Sequence, residues 1–328
     1  MVDVIIAMLP AIAVAGFYFR IHALVLIGTC VIASLVTEVL CNMIRKNPRP
    51  FESLGDFSAV VTAILLALSV PPGLPAWAAV IGSAFAIAIG KMVFGGLGAN
   101  IFNPAMVGRA FLMASFGALM TTWMVPATIN SISPTVSADN SVRAVDEDAD
   151  TYVNARTQAT PLSWSKEAIK GKSDVGAANG QFKNAVVGEI PGCLGETSVI
   201  ALLIGGIYLL IRRTISLHIP LAVLASAFVF SGIAYLANSD VYISPMVHLA
   251  SGGMLLCAFY IATDPVTAPL TVKGMWIFGI GVGTITMLIR IVGEYPEGVM
   301  FAVLIMNSLT PLIDRLCKRI PTGGKPNV

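Results

Sequence analysis

Charge is what this sequence has least of. Only 12% of its 328 residues are Asp, Glu, Lys or Arg, about half the share of a typical soluble domain. The formal net charge is +2, too small to suggest nucleic-acid binding by itself. There are only three histidines, His22, His218 and His248, and they show no ligand spacing. The five cysteines (Cys30, Cys41, Cys193, Cys257, Cys317) contain no CxxC pair. Neither a zinc site nor an iron–sulfur cluster is therefore indicated, and no metal is expected. Isolated cysteines of this kind usually serve as small buried hydrophobes. No Ser/His/Asp constellation and no Walker-type loop occurs. The opening MVDVIIAMLP lacks a basic n-region, so it reads as a first membrane helix and not as a signal peptide.

Apolar runs fill the rest. Hydrophobic residues make up 56% of the chain and the mean hydropathy is +0.83, which indicates an all-α integral membrane protein. About ten apolar segments can be drawn, near 2–19, 21–44, 57–70, 75–94, 105–125, 197–211, 215–237, 245–262, 275–292 and 298–313. Several are short against the roughly twenty residues a helix needs to cross a bilayer. Segment 57–70 stops at Pro71-Pro72 and the eighth stops at TDPVTAP. Broken helices persist in a membrane where protein or a water-filled cavity covers the freed backbone. The chain divides into a membrane half at 1–126, a polar loop at 127–196 and a second half with its tail at 197–328.

The Lys and Arg distribution gives an orientation. Even-numbered loops and the C-terminus hold Arg45, Lys46, Arg49, Arg109, Arg212, Arg213, Lys273, Arg315, Lys318, Arg319 and Lys325, while the short odd-numbered loops hold Arg20 and Arg290. Both termini are expected to be cytoplasmic, with loop 127–196 on the outer face. A loop that long is usually functional or disordered.

A repeat pattern runs through both halves. Each has a proline-broken short helix, then a small-residue helix ending in a basic residue (Lys91, Arg290), a Gly-containing turn, and a proline (Pro104, Pro296) that opens the next helix. Two halves of five helices each must be inverted, and such repeats place ligand sites near the midplane of their interface.

Few residues carry chemistry. Asp264, in YIATDPVTAP, could pair with a cation, orient a polar ring or cap the next helix. Asn103 and Arg109 lie in GGLGANIFNPAMVGRAF, where a Gly-rich turn enters a Pro-started helix and exposes N–H donors suited to an anion or polar ring. Arg109 could equally mark the positive side. Glu38, within the second span, is costly unless paired. Glu294 and Glu297 read as solvated loop acids. These residues leave two functions open: a small-solute channel or carrier without a redox cofactor, and a redox subunit that binds a planar cofactor.

The stretches VIIAMLPA, GGLGANIFNPAMVGRAFL, QATPL, FYIATDPVTAP and YPEGVMFAVLIMNSLTPLID run from one end of the chain to the other. On them the sequence resembles the RnfD/NqrB family, membrane subunits of ion-translocating electron-transfer complexes, and the short N-terminus is more similar to RnfD. The resemblance implies an electron-relay subunit of an Rnf-type complex that couples ferredoxin and NAD electron transfer to Na+ or H+ translocation, without the NAD site or the iron–sulfur clusters. It implies that Thr160 is esterified to the phosphate of FMN by a flavin transferase, with Thr157, Ala159, Pro161 and Leu162 matching the motif. Asn154 and Gln158 depart from it, standing where the family has Asp and a small residue. It further implies a second, non-covalent flavin, riboflavin, within the helices, for which Asn103, Arg109 and Asp264 are the candidates. The implied partners are small membrane subunits and a second subunit with covalent FMN on the outer face, and the implied location is the prokaryotic cytoplasmic (inner) membrane.

Overall fold

The computed structural model describes residues 1–124, 160–170, 175–180, 182–196, 198–293 and 295–317. Among the described residues the regular elements are helices, with no strand. The chain is an all-α integral membrane protein. Thr157 and Ala159, and with them Asn154, Gln158 and Glu294, lie outside the described residues.

Helices stand where the apolar runs stood. In the first half these are α1 (Val2–Phe19), α2 (Ile21–Ile44), α3 (Ser58–Leu68), α4 (Ala76–Ile87) with a π-helical turn at Ala88–Met92, α5 (Pro104–Ser115) and the short α6 (Gly117–Met120). Between the halves lie α7 (Pro161–Ile169), α8 (Val175–Gly180) and α9 (Phe182–Val187). The second half contains α10 (Val199–Ile211), α11 (His218–Ala237), α12 (Pro245–Ala250), α13 (Met254–Leu256) with a π-helical turn at Cys257–Ile261, α14 (Val272–Ile291) and α15 (Val299–Leu316).

By length and composition five of these helices can cross a membrane: α1, α2, α11, α14 and α15. Ser58–Leu68, Ala76–Met92 and Val199–Ile211 are shorter apolar helices. The eighth expected segment is divided by a turn at Ser251–Gly253 into pieces too short to span alone. Its freed backbone groups are covered by protein, as irregular backbone at membrane depth requires.

Long-range contacts sort the turns into two ends. At one end Arg212 pairs with Asp3 at 3.5 Å, Arg45 donates to the Met92 carbonyl, and the Leu270 amide donates to Asp314. This is the N-terminal end. At the other, the Leu194 amide donates to the Val70 carbonyl, Tyr18 donates to the Val187 carbonyl, and Lys166 donates to the carbonyls of Ile289 and Gly293. This is the Thr160 end. The described part of loop 127–196 is thus packed onto the helices.

Helix packing recurs between the halves. α2 packs on α4 as α11 packs on α14, and α4 on α5 as α14 on α15. Small residues bring these axes close: a Cβ on Gly108 of α5 would meet Ala86 Cβ at 2.7 Å and the Gly82 carbonyl at 2.8 Å. The halves meet where α1 packs on α10, with the Tyr260 hydroxyl set between the carbonyl oxygens of Ala7 and Leu202, at 3.1 and 3.0 Å. Lys91 closes the fourth segment at the N-terminal end and Arg290 closes the ninth at the Thr160 end, the arrangement expected of inverted halves.

Candidate functional site

Buried charge marks both ends of the bundle. At the N-terminal end the π-helical turn Ala88–Met92 carries Lys91 inward. Its Nζ lies 2.6 Å from Glu38 Oε1 and donates to Ser58 Oγ at 2.5 Å. Glu38 was expected to need a partner, and Lys91 is that partner. A cavity of about 170 Å3 opens beside the pair, with polar lining from Ser58, Thr62, Lys91, Asn100, Asn103 and Asp264. Leu65, Phe259, Pro104 and Val266 supply apolar walls.

Asn103 is the N-cap of α5. Its Oδ1 accepts from the amides of Ala105 and Met106, with Pro104 at the first helical position, while Nδ2 reaches the Ile261 carbonyl at 3.5 Å. Asp264 folds onto its own turn, where it accepts from the Val266 amide and the Thr267 hydroxyl. Burial raises its carboxyl above the ordinary range, and those two donors oppose the rise. Two of the three expected interior residues therefore share one cavity.

The third does not. Arg109 sits mid-way along α5, 2% exposed, and faces the Thr160 end. Its Nη2 lies 3.7 Å from Cys193 Sγ and 3.7 Å from Glu196 Oε1. It is no loop cation, so it drops out of the charge count that set the orientation, as does Arg290. Arg290 is buried in the last turn of α14 and donates to the carbonyls of His248 and Ser251 at 2.6 and 3.1 Å. It also meets both oxygens of Glu297 at 3.2 Å.

Glu297 corrects the expectation of a solvated loop acid. It is buried because it stands just ahead of α15 and accepts from the amides of Gly298 and Val299 there, as well as from Gly253 at 2.9 Å. Burial raises its carboxyl, yet Arg290, Arg109 and these amides outweigh that and hold it below the ordinary value. Glu196 is poorer in donors. It accepts from the Cys193 amide at 3.4 Å, and its Oε1 has no hydrogen-bond partner. Burial and then the like charge of Glu297 push its carboxyl up, against Arg109.

Gly252 fits the turn between α12 and α13 into this cluster. Its φ is +69°, and a Cβ there would run into Glu297 Oε2, Arg290 Nη2 and Leu162. The cysteines at this end, Cys193 and Cys257, are buried and unbonded to each other, as isolated cysteines were expected to be.

Thr160 lies directly over the cluster. It is the N-cap of α7, with Pro161 at the first helical position; its Oγ1 accepts from the Ser163 amide at 3.1 Å and sits 2.9 Å from Ser163 Oγ. Thr160, Pro161, Glu196, Ser251, Gly252 and Glu297 are among the residues around a cavity of about 20 Å3. That space takes no flavin ring. A phosphodiester on the Thr160 hydroxyl is a different matter, because the positive end of a nine-residue helix favours an anion. The residues present fit a phosphoester at this hydroxyl. Sequence reading missed Glu196, Glu297, Arg290 and Lys166 as parts of one site. The signal for Thr160 as a cap was present, since Thr-Pro followed by an apolar residue is a helix start.

Comparison with known proteins follows the same span. The family model described as "NQR2, RnfD, RnfE family" matches residues 1–323. The D-type subunit of the Na(+)-translocating ferredoxin:NAD(+) oxidoreductase complex of Acetobacterium woodii is 42% identical over 321 residues, 97% of this chain and 88% of the relative. The D-type subunit of the proton-translocating ferredoxin:NAD(+) oxidoreductase complex of Clostridium ljungdahlii is 38% identical over 331 residues, 98% and 91%. The D-type subunit of the ion-translocating oxidoreductase complex of Actinobacillus succinogenes is 38% identical over 327 residues, 96% and 90%.

Proposed function

The chain belongs to the NQR2, RnfD, RnfE family, and on that premise we propose that it is a flavin-carrying electron-relay subunit of an Rnf-type complex that couples ferredoxin and NAD electron transfer to ion translocation. The observation that carries the reading is the near full-length similarity to the Acetobacterium woodii relative. The relatives are named for both Na+ and H+, so similarity of this kind does not select the ion.

Thr160 would hold FMN through its hydroxyl, and the amides at the start of α7 would favour the phosphodiester charge. Flavin, when bound, supplies one-electron and two-electron redox chemistry. The chain's own contribution is the tether and a rigid floor: Pro161 and the Ser163 contacts set the cap, and Lys166 anchors α7 to the end of α14. At the N-terminal end the cavity bounded by Asn103, Asp264, Ser58 and the ring of Phe259 suits a planar apolar body with polar edges, and it is the place for the second, non-covalent riboflavin. The other subunits of the complex, a second covalent-FMN subunit and the flavin transferase are the partners this reading requires. It also assigns both termini to the cytoplasm and Thr160 to the outer face.

The test is in-gel fluorescence after expression with the transferase. Non-covalent flavin washes out of a denaturing gel. The wild-type band should fluoresce and Thr160→Ala should not. A dark wild-type band beside an active transferase overturns the flavin assignment and returns the chain to the solute-carrier alternative.

A further inference from the structure

Two carboxylates and two guanidiniums lie buried beneath Thr160, and they are unequally matched. Glu297 has both of its oxygens on Arg290 and three backbone amides. Glu196 has one backbone amide at 3.4 Å and Arg109 at 3.7 Å, and its Oε1 makes no hydrogen bond. Arg109 is equally short of partners, with Nε and Nη1 buried and unbonded. Both unpaired groups converge over Gly253, whose added Cβ would lie 3.5 Å from Glu196 Oε1 and 3.7 Å from Arg109 Nη1. With both acids ionised the four side chains sum to zero. Lys166, the other cation at this end, is held by the carbonyls of Ile289 and Gly293, so a negative charge added at Thr160 bears most on the acid with the fewest donors, in a medium where charges interact strongly.

We propose that Glu196 is the proton-accepting group of this end of the protein, taking up a proton when negative charge arrives beside Thr160. The inference rests on the reading of Thr160 as a flavin attachment point. For the first electron that a protein-bound one-electron donor leaves there, Glu196 Oε1 gains one proton from solvent. The carboxylate becomes a carboxylic acid, no bond in the chain breaks, and the cluster's net charge rises by one to oppose the added electron. Glu297 does not yield, since its donors all favour the ionised form.

The groups facing Glu196 are consistent with this assignment. Arg109 comes from α5, Glu297 from the head of α15, and Cys193 from its own turn. Of the helices that pack on that turn, α3 and α13 have no ionisable side chain, and those of α1 are engaged elsewhere, Asp3 with Arg212 and Tyr18 with Val187. Beyond Glu297, Arg290 is flanked by His248, whose carbonyl it binds. The direction in which burial and Glu297 move the Glu196 carboxyl agrees with the geometry.

Infrared titration of the full chain in membranes reads the protonated carboxyl directly. The comparison is Thr160→Asp against Thr160→Asn, both good N-caps that leave the cluster intact. The carboxyl band assigned to Glu196, lost in Glu196→Gln and moved in Glu196→Asp, should titrate about one pH unit higher with Asp at 160, a tenfold gain in proton affinity. Equal midpoints in the two Thr160 variants overturn the proposal, as does a band that neither Glu196 variant alters. Neither arm needs flavin, so a wild-type chain that carries none would sink the attachment reading while leaving this comparison readable.

Discussion

At the N-terminal end one ammonium, Lys91, meets one carboxylate, Glu38; at the Thr160 end two guanidiniums share two carboxylates and two carbonyls. The simpler pair borders a cavity of about 170 Å3, the larger cluster one of about 20 Å3. A Lys on a π-helical turn pairs with one oxygen of a buried acid, leaves the other without a hydrogen bond, and leaves room beside it. Arginine's flat fork bridges several acceptors at once and ties elements together. Arg290 binds α14 to the broken segment and to the head of α15. The N-terminal end therefore keeps an open space between helices, while the Thr160 end is closely tied together.

The largest effect should come from the cluster. Arg290→Ala would strand Glu297 and release two carbonyls, costing about 3–5 kcal/mol. The measurement is thermal unfolding of the purified chain in detergent. A loss within the range of a surface substitution would remove Arg290 from its bridging role.

Lys91→Ala strands Glu38 alone and should cost about 3 kcal/mol, at the lower end of the same range. The double variant Lys91→Met with Glu38→Leu should recover much of that, since replacing both members of a buried pair by apolar groups is often near neutral. No comparable rescue is expected from Arg290→Met with Glu297→Leu, because the His248 and Ser251 carbonyls stay unpaired. Equal recovery at both ends would erase the distinction between a pair and a network.

Gly252→Ala should destabilise by about 1–3 kcal/mol, from a positive φ and a collision with the cluster. Gly16→Ala, in α1 with nothing within 4 Å of the added Cβ, should be neutral or stabilising by up to about 1 kcal/mol. Chemical unfolding of the two variants side by side checks this contrast.

The smallest stability effect is at Thr160. Its hydroxyl caps α7, so Thr160→Ala should cost about 1 kcal/mol, while Thr160→Ser should cost little. Local hydrogen exchange in α7 is the readout, and an unchanged exchange rate would deny the cap.

Much of the scaffold was legible because apolar runs in a membrane chain are helices by necessity. The expected segments at 2–19 and 21–44 coincide with α1 and α2, whereas the eighth, expected to run unbroken to TDPVTAP, is interrupted earlier at Ser251-Gly252-Gly253. The charge clusters were less legible. Glu38 announced a need for a partner, but nothing in the sequence pointed across more than fifty residues to Lys91. Glu297 looked solvated because it follows a helix end, and only the fold brings Gly253 and Arg290 to it. Arg109 and Glu196 are 87 positions apart, and neither period nor spacing links them. The same non-locality separated Arg109 from Asn103, six residues earlier on the same helix, which serves the opposite end.

The central claim, that Thr160 carries flavin above this floor, is tested most directly by mass spectrometry of the tryptic peptide 157–166 after expression with an active flavin transferase. The account predicts a wild-type peptide heavier by an FMN phosphoester, with fragmentation placing the added mass on Thr160, and no such species in Thr160→Ala. An unmodified wild-type peptide, or flavin still attached to the chain in Thr160→Ala, would contradict it.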